Sequence, residues 1–243
     1  MCIRDSGVLG GMGPAATAEF LRLLSAAAPA DTDQEHPRLL LLSDPGVPER
    51  TAAILADDGA PRRHIHNGLH QLASWGADLL AMPCNTAHAF VDEALLPVPL
   101  VHIVDATLGL ARGGGAHRAW LAASSGTMAS GLYQRRARQV GYDLLLPDPE
   151  IQAAVHGTSV LVKANRLDEA GRLFATAVRA MWHRAQAPVL AACTELPLAY
   201  TSAGLPPERM VSSLDALAEA CVAAIYDGTP QRRSVTGAAV LDG

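Results

Sequence analysis

LLAMPCNTAH, residues 79–88, is the stretch that decides the fold of this chain. An apolar run ends at Cys84 and small polar residues follow, which predicts a buried strand that delivers a thiol to the start of a helix. The same order returns 109 residues later as VLAACTELPL, residues 189–198, where the apolar run ends at Cys193. Two strands that each end at a cysteine indicate that the fold brings Cys84 and Cys193 face to face.

The chain around these two segments repeats in the same way. Residues 7–11, GVLGG, predict the end of a parallel strand and a tight turn, and residues 119–127, AWLAASSGT, repeat that pattern 112 residues later. A repeat of this length is typical of two similar α/β halves, because solenoid repeats run to only about 20–50 residues. We therefore predict an α/β protein with two pseudo-symmetric, Rossmann-like parallel-sheet domains and an active site between them.

The division of the chain follows from this repeat. We predict a first domain of residues 1–103 plus 209–227, a second domain of residues 104–208, and a flexible tail of residues 228–243. A glycine run, residues 113–115, predicts a flexible boundary between the halves. Hydrophobic periodicity predicts strands at 39–43, 100–104 and 142–146, and helices at 17–28, 64–76, 86–95, 105–111, 130–140, 152–162, 167–186 and 213–226.

Two further expectations concern the ends of the chain. Residues 4–6, RDS, are polar where a buried parallel strand is normally apolar, so we expect the first strand to be truncated or frayed. The predicted helix at 213–226 places Cys221 on its apolar face, so we expect that cysteine in the core. Cys2 lies in the polar N-terminal stretch, and neither cysteine is a good candidate nucleophile.

The composition excludes several function classes. Apolar residues make up 49% of the 243 and charged residues 18%, which is enough for a core and argues against disorder. A net charge of -5 without a basic block argues against a nucleic-acid partner. No apolar run reaches the roughly 18 residues of a transmembrane helix and no signal-peptide pattern is present, so we expect a cytoplasmic protein without a membrane partner. The four cysteines lack a short regular spacing, which predicts reduced thiols.

Lysine and histidine usage narrows the choice of cofactor. Lys163 is the only lysine in the chain, so pyridoxal phosphate chemistry, which needs a Schiff-base lysine, would depend on this single residue. His66 and His70 have the spacing of two zinc ligands on a helix. Asn67 follows His66 where the zinc motif needs glutamate, so we predict no metal site.

Two loops are weaker signals of a ligand site. The turn GGMGP, residues 10–14, allows close backbone approach to a ligand, but a purely structural turn is about as common. Arg50 follows the strand predicted at 39–43, at the sheet edge where ligands bind in open α/β folds. Judged alone, a solvated surface arginine is slightly the better interpretation.

Two opposed thiols suit one kind of reaction. A thiol at a helix N-terminus has its pKa lowered by the helix dipole and by unpaired N–H groups. In a stereoinversion, one thiolate removes a proton from a stereocentre and the opposing thiol returns a proton to the other face. A cysteine-protease site would leave the second cysteine without a task, because it needs a base and an oxyanion hole around one cysteine. A lone buried cysteine is by default structural, but the symmetric pair favours catalysis.

Four segments of the chain match the signature motifs of a known family. They are GGMGP (residues 10–14), PERT (48–51), PCNTAH (83–88) and CTELPL (193–198). These segments resemble those of the aspartate/glutamate racemase superfamily, whose members are cofactor-independent amino-acid racemases of two pseudo-symmetric α/β domains. The resemblance runs from about Gly7 to Asp227. The Cys-Thr-Glu form of the last motif is closer to aspartate racemases and their broad-specificity relatives, since glutamate racemases usually carry Cys-Thr-His.

The resemblance implies a site and a substrate. Cys84 and Cys193 are the implied catalytic acid/bases, no cofactor is needed, and the implied partners are a small-molecule amino-acid substrate, with aspartate preferred over glutamate, and a second copy of the chain in a homodimer. The implied substrate-binding residues are Met12, Arg50, Asn85, Thr86, Ser125, Thr127, Lys163 and Thr194. Of these, Arg50 and Lys163 match positions that contact substrate carboxylates, whereas Asn85, Thr86 and Thr194 match positions for the α-carboxylate and amino group. Asn165 stands where glycine is common after the lysine, which a residue tolerant of left-handed backbone accommodates.

Other functions stay open at this point. The chain is also compatible with another member of the superfamily, such as a maleate isomerase or a hydantoin racemase, or with a catalytically idle dicarboxylate-binding protein. Arylmalonate decarboxylase-like chemistry is disfavoured because it uses one cysteine. Glu195 either faces the site, where it would raise the pKa of Cys193, or faces away and stabilises the helix dipole.

Overall fold

The computed structural model describes residues 5–226, which form two parallel β-sheets of identical strand order. The strands of the first sheet are β1 (Ser6–Gly10), β2 (Leu39–Ser43), β3 (Leu79–Ala81) and β4 (Leu100–Val101). Those of the second are β5 (Arg118–Ala123), β6 (Asp143–Leu145), β7 (Val189–Ala192) and β8 (Met210–Ser212). The sheet orders are β2-β1-β3-β4 and β6-β5-β7-β8, and every neighbouring pair is parallel. The α/β class and the internal repeat are confirmed; the predicted tail and Cys2 lie outside the described residues.

Helices follow or precede almost every strand. The α-helices are α1 (Pro14–Ala27), α2 (Arg50–Leu55), α3 (Ala60–Ser74), α4 (Ile103–Gly113), α5 (Ser125–Ser130), α6 (Leu132–Gln139), α7 (Pro149–Lys163), α8 (Leu167–Arg184), α9 (Leu196–Ser202) and α10 (Ser213–Tyr226). Short 3-10 helices span Asp33–Glu35, Thr86–Phe90, Glu93–Leu95 and Pro207–Arg209. The strand-helix alternation follows from the parallel sheets, since a parallel connection must cross over.

One layer of the core is shared by the two halves. It includes Val8 of β1, Leu121 of β5 and Leu190 of β7, together with the apolar faces of α1, α4, α6 and α10. Cys221 lies in this layer and is 2% exposed, as predicted for a core thiol. The other face of the first sheet packs with α3, and the other face of the second packs with α7, α8 and α9. The shared layer therefore holds the two sheets together.

The boundary between the halves differs in detail from the prediction. The glycine run at 113–115 lies between α4 and β5 and joins the two sheets. Strand β8 pairs with β7, with Val189 opposite Met210, although the predicted boundary at residue 208 assigned it to the first domain. The chain then returns along α10, which packs on α1 and α4. The sheet assignment of β8 is thus corrected, while the division into two domains stays a prediction.

The expectation of a frayed first strand is wrong for the residues that the structure describes. Strand β1 is buried over its whole length and pairs with both β2 and β3. At its start, the backbone carbonyl of Asp5 accepts hydrogen bonds from the amides of Asp78 (2.8 Å) and Leu79 (3.3 Å). The Asp5 carboxylate pairs with Arg38 at 2.6 Å, so the polar side chain is satisfied beyond the end of the sheet.

Three other expectations need correction. Strand β2 is an edge strand rather than a buried one, with Leu41 42% exposed. The helix predicted at 86–95 is two 3-10 helices, because Val91 is extended and Asp92 caps a new turn by accepting from the amide of Ala94. The strand predicted at 100–104 stops at residue 101, because His102 caps α4 by accepting from the amide of Val104 (3.2 Å). Helices α2, α5 and α9 and strand β8 were not predicted, whereas the other predicted elements agree to within four residues at each end.

The glycine turn after β1 serves close packing. Gly11 has φ +91°, and a Cβ there would lie 2.5 Å from the backbone of Asp44. Its amide donates to the hydroxyl of Thr17 (3.0 Å), which donates in turn to the carbonyl of Gly13 (3.0 Å). The turn therefore fixes α1 against β1 and the loop after β2, and the structural interpretation accounts for Gly11.

This packing predicts the outcome of Gly11→Ala. The new methyl group meets rigid backbone and the left-handed conformation strains an L residue, so we expect the free energy of unfolding to fall by about 2–5 kcal/mol. The matched control is Gly109→Ala, at an exposed position of helix α4, where a Cβ meets no atom within 4 Å and should raise stability by about 0.5–1 kcal/mol. Urea titration of both variants measures the difference, and equal stabilities would contradict the packing argument.

Candidate active site

The two cysteines of the repeat line one cavity at the carboxyl ends of β3 and β7. Cys84 lies three residues after β3, Cys193 follows β7 directly, and each is 6% exposed. The cavity encloses about 340 Å³, a volume that includes its open mouth. Its lining residues are Met12, Glu49, Arg50, Thr51, Cys84, Asn85, Thr86, Ser124, His156, Ser159, Lys163, Cys193, Thr194 and Glu195. The structure therefore brings the predicted thiols to one site, where open α/β sheets bind ligands.

A buried histidine behind Cys84 fixes the loop that carries this thiol. His88 Nδ1 lies 2.9 Å from the carbonyl oxygen of Cys84, and the amide of Ile103 donates to His88 Nε2 at 3.4 Å. Because Nε2 accepts, Nδ1 carries the proton and donates to the Cys84 carbonyl. Burial lowers the pKa of His88 to about 4, which keeps the ring neutral at physiological pH. His88 thus ties the thiol-bearing loop to the start of α4.

Burial controls the acidity of both thiols, and this corrects a prediction. We expected the helix N-termini to lower the two pKa values, but desolvation raises the pKa of Cys84 and raises that of Cys193 further. Arg50, the backbone amide of Ala87 and Lys163 partly offset the effect at Cys84. Cys84 precedes only a five-residue 3-10 helix, so little dipole is available to lower its pKa.

Glu195 faces the cavity, which decides between its two predicted orientations. It is 3% exposed, and the thiol of Cys193 donates to its Oε2 at 3.1 Å. The hydroxyl of Thr194 lies 3.4 Å from the same oxygen. Oε1 is buried and has no hydrogen-bond partner among residues 5–226. The carboxylate therefore stands next to the second thiol, and its negative charge contributes to the raised pKa of Cys193.

Two cations line the same cavity. Arg50 is 8% exposed and donates to the carbonyls of Val47 (3.0 Å), Pro48 (3.2 Å) and Met12 (3.2 Å). Its Nε is buried and has no partner within the described part of the chain. The interpretation of Arg50 as a solvated surface residue is therefore wrong.

Lys163, the second cation, ends helix α7 on the exposed side of the cavity. Burial opposes its charge, but Glu195 and the two thiols outweigh that effect and raise its pKa. The chain turns after it at Asn165, whose φ of +58° is the left-handed conformation expected there.

Polar side chains from both halves meet behind the thiols. The amide of Asn85 donates to Ser213 Oγ (2.9 Å) at the start of α10, and its Oδ1 accepts from the hydroxyl of Tyr133 (2.6 Å). The hydroxyl of Thr86 lies 2.8 Å from that of Thr127 and 3.0 Å from that of Ser124. These contacts join the loop after β3 to α5, α6 and α10, and so fix one half of the cavity against the other.

The predicted binding residues divide into two groups. Met12, Arg50, Asn85, Thr86, Lys163 and Thr194 all line the cavity. From the turn that follows β5, Ser124 is the described residue that lines the cavity, whereas the predicted Ser125 and Thr127 are not among the lining residues. Thr127 is fully buried and bonded to Thr86, while the amide of Ser125 donates to Nδ1 of His156 (3.4 Å).

Several lining residues were missed by the sequence analysis. They are Glu49, Thr51, Ser124, His156 and Ser159. Glu49 and Thr51 flank Arg50 in the quoted PERT motif, which was the available signal. His156 and Ser159 lie seven and four residues before Lys163, so helical spacing from that lysine would have placed them on one face of α7.

Metal and membrane sites are not supported by the described residues. No group of three or more His, Cys, Asp or Glu within residues 5–226 is placed to hold a metal ion. His66 Nε2 accepts from the amide of Asp92 (3.2 Å), and His70 Nε2 lies 3.0 Å from the carbonyl of Leu95, so both rings serve local structure. Over the same residues, every helix is too short or too polar to cross a bilayer.

Comparison with known proteins gives a consistent result. Residues 9–223 match the family model described as Asp/Glu/Hydantoin racemase. The chain is 27% identical to the broad specificity amino-acid racemase RacX of Bacillus subtilis (strain 168) over 196 residues, covering 78% of this chain and 85% of that protein. The structure of Picrophilus torridus aspartate racemase superposes with a TM-score of 0.81 at 30% identity, covering 91% and 94% of the two chains. Glutamate racemase from Campylobacter jejuni subsp. jejuni shares the fold, with a TM-score of 0.60 at 20% identity and 88% and 83% coverage.

The contacts of Asn85 predict a difference between two tyrosines of the second half. Tyr133→Phe leaves the buried Oδ1 of Asn85 without its donor, so we expect the free energy of unfolding to fall by about 1–3 kcal/mol. Tyr142→Phe is the control, because that hydroxyl is buried without a partner in the described structure and its removal should cost nothing. Urea denaturation compares the two, and equal effects would show that the Asn85 contact contributes no stability.

Proposed function

Since the chain belongs to the Asp/Glu/hydantoin racemase family, we propose that it interconverts the enantiomers of an acidic amino acid by using Cys84 and Cys193 as two opposed acid/bases. It is an isomerase, an amino-acid racemase that works without pyridoxal phosphate. The observation that carries the proposed mechanism is that both thiols line one small cavity from equivalent strands of a duplicated fold. A homodimer in the cytoplasm remains our prediction for its state and location.

The proposed reaction moves one proton off and one proton onto the same carbon. The thiolate of one cysteine forms an S–H bond with the α-proton, and the electron pair of the broken Cα–H bond stays on the substrate, delocalised into its α-carboxylate. The thiol of the other cysteine then gives its proton to the opposite face of Cα. The product is the other enantiomer, and the two sulfurs have exchanged protonation states.

The charges of the cavity support an acidic amino acid as substrate. Arg50 and Lys163 bring two cations to the lining, and Glu195 brings one buried carboxylate. The carboxylate of Glu49 is exposed and caps α2 by accepting from the amide of Ala52 (2.6 Å). A substrate with two carboxylates and one ammonium therefore complements the interior groups one for one.

Matching the charges of the cavity to those of a ligand also disfavours the alternative substrates. A hydantoin ring would leave the two cations without carboxylates, and maleate would leave Glu195 without an ammonium group. Aspartate is favoured over glutamate by the small cavity and by the name of the Picrophilus torridus relative. An idle dicarboxylate-binding protein would not need two thiols in one cavity, whereas a two-base reaction does.

The direct test is racemisation without any added cofactor. Purified enzyme is incubated with each enantiomer of aspartate, glutamate and alanine, and the loss of circular dichroism is followed with confirmation by chiral chromatography. We expect both aspartate enantiomers to racemise, with kcat/KM for aspartate above that for glutamate and alanine. Binding of aspartate without any change in its chirality would contradict the proposal and favour the idle binder.

Substitution of the cysteines tests the two-base mechanism. We expect Cys84→Ala and Cys193→Ala each to lower the rate of racemisation in both directions by at least about 100-fold, because each turnover needs both groups. In D2O, each variant should still exchange the α-proton of the one enantiomer that faces its remaining thiol. Cys221→Ala is the control, since that thiol lies in the core and its loss should leave activity intact. Full activity in either cavity variant would rule out this mechanism.

Substitution of the cavity lysine tests carboxylate recognition. We expect Lys163→Gln to lower kcat/KM for aspartate about tenfold, since a charge-assisted contact is worth about 1.5–3 kcal/mol and this residue is partly screened by solvent. Inhibition by succinate should weaken with it, whereas inhibition by acetate should change little. Arg179→Gln removes the same charge from an exposed position outside the cavity lining and serves as control. Equal effects of the two variants would mean that only net charge matters.

A further inference from the structure

The two halves of the cavity differ in one decisive group. Two residues after Cys193 stands Glu195, whose Oε2 accepts from the thiol at 3.1 Å. Two residues after Cys84 stands Thr86, whose hydroxyl is engaged with Ser124 and Thr127. In the described chain, a carboxylate therefore touches only the second of the two thiols.

The contact with Glu195 needs a proton between sulfur and oxygen. If Cys193 lost its proton, a thiolate and a carboxylate would stand 3.1 Å apart in a buried place, and like charges at that distance repel strongly. Lys163, at the exposed end of α7, is the cation that faces this pair and opposes the repulsion. The proton consequently stays with the Cys193–Glu195 pair.

The surroundings of Cys84 oppose its ionisation less than those of Cys193 do. A backbone amide donates to each sulfur, that of Ala87 to Cys84 and that of Glu195 to Cys193, and Lys163 favours a negative charge on both. Arg50 in addition favours a negative charge on Cys84. Glu195 acts against that charge, but from further away, because its carboxylate is bonded to the other thiol. The two cysteines are equally buried at 6% exposure, so the difference between them comes from these neighbours rather than from desolvation alone.

We propose that Glu195 is a positioning residue that holds the proton on Cys193 in the resting enzyme, so that Cys84 acts first as base and Cys193 as acid. The inference rests on the proposed two-thiol reaction and adds a direction to it. Both thiols resist ionisation, but Cys84 gives up its proton more readily than Cys193, so the enantiomer whose Cα–H faces Cys84 needs the smaller change of protonation before it reacts. For the opposite enantiomer, Cys193 must first release the proton that Glu195 holds, while Cys84 stays protonated.

This direction has a kinetic consequence. Racemisation has an equilibrium constant of one, so kcat/KM must be the same for both enantiomers. The difference between the two thiols can therefore appear only in the separate values of kcat and KM. We expect the two enantiomers to show different pH dependences of kcat, and we expect Glu195→Gln to reduce that difference. A pure loss of stability in the variant would lower both values of kcat without altering their pH dependences.

The test of the resting state is alkylation of the ligand-free enzyme by iodoacetamide. Mass spectrometry follows each cysteine over a range of about pH 6 to about pH 9, because only the thiolate reacts. In the wild type, we expect Cys84 to react faster than Cys193 at every pH. In Glu195→Gln, we expect Cys193 to react about tenfold faster at neutral pH and its inflection to move about one unit lower, with Cys84 changed less than threefold.

Two controls keep the experiment decisive. Glu49→Gln removes a carboxylate that also lines the cavity but caps α2, and it should leave the rate at Cys193 unchanged. Cys221 is buried in the core and should stay unmodified in every folded variant. Equal wild-type rates at Cys84 and Cys193, or an unchanged Cys193 in Glu195→Gln, would overturn the inference. Because labelling needs no turnover, a failure of racemisation would be seen separately.

Discussion

The shared apolar layer between the two sheets is the constraint on which the site depends. Helix α10 packs there against strands of both sheets, and α4, which packs on α10, contacts β7 and β8, so neither half buries its inner face without the other. The carboxyl ends of β3 and β7 are held in one place by this packing. Asn85 strengthens the arrangement, because its amide bonds to Ser213 on α10 and to Tyr133 on α6. The cavity between the two sheets keeps its shape because the residues behind it, which include Asn85, Ser213 and Tyr133, are buried.

Electrostatics inside the cavity follow from the same burial. Thiols that are almost excluded from water resist ionisation, which raises the pKa of both cysteines when the cavity is empty. Arg50 and Lys163 provide the opposing positive charge, and Glu195 adds one negative charge beside Cys193. The raised pKa of a thiol also makes its thiolate a stronger base, which suits abstraction of a weakly acidic α-proton. Burial of the residues around the cavity therefore stabilises the fold and also makes the two thiolates stronger bases.

The duplication left the two halves similar in fold and different in chemistry. Both sheets have the same strand order, and a cysteine follows the third strand of each. Around Cys84, the loop is fixed by neutral His88 and bonded through Thr86 to the second half. Around Cys193, the corresponding position holds a carboxylate. Symmetry thus places the two thiols on one cavity, and the difference between Thr86 and Glu195 decides which of them holds a proton.

The sequence by itself determined the architecture and the identity of the two thiols. Apolar strands that end at Cys84 and Cys193, repeated at nearly constant spacing, depend on local periodicity and on the rule that ligands bind at the carboxyl ends of parallel strands. The pairing of β8 with the second sheet, the inward orientation of Glu195 and the presence of His156 in the lining depended on tertiary structure. The direction of the thiol pKa shifts also depended on tertiary structure, because the desolvation of a group is set by how many distant residues close over it. Local sequence records which side chains a segment offers, whereas burial and charge are sums over neighbours that only the folded chain brings together.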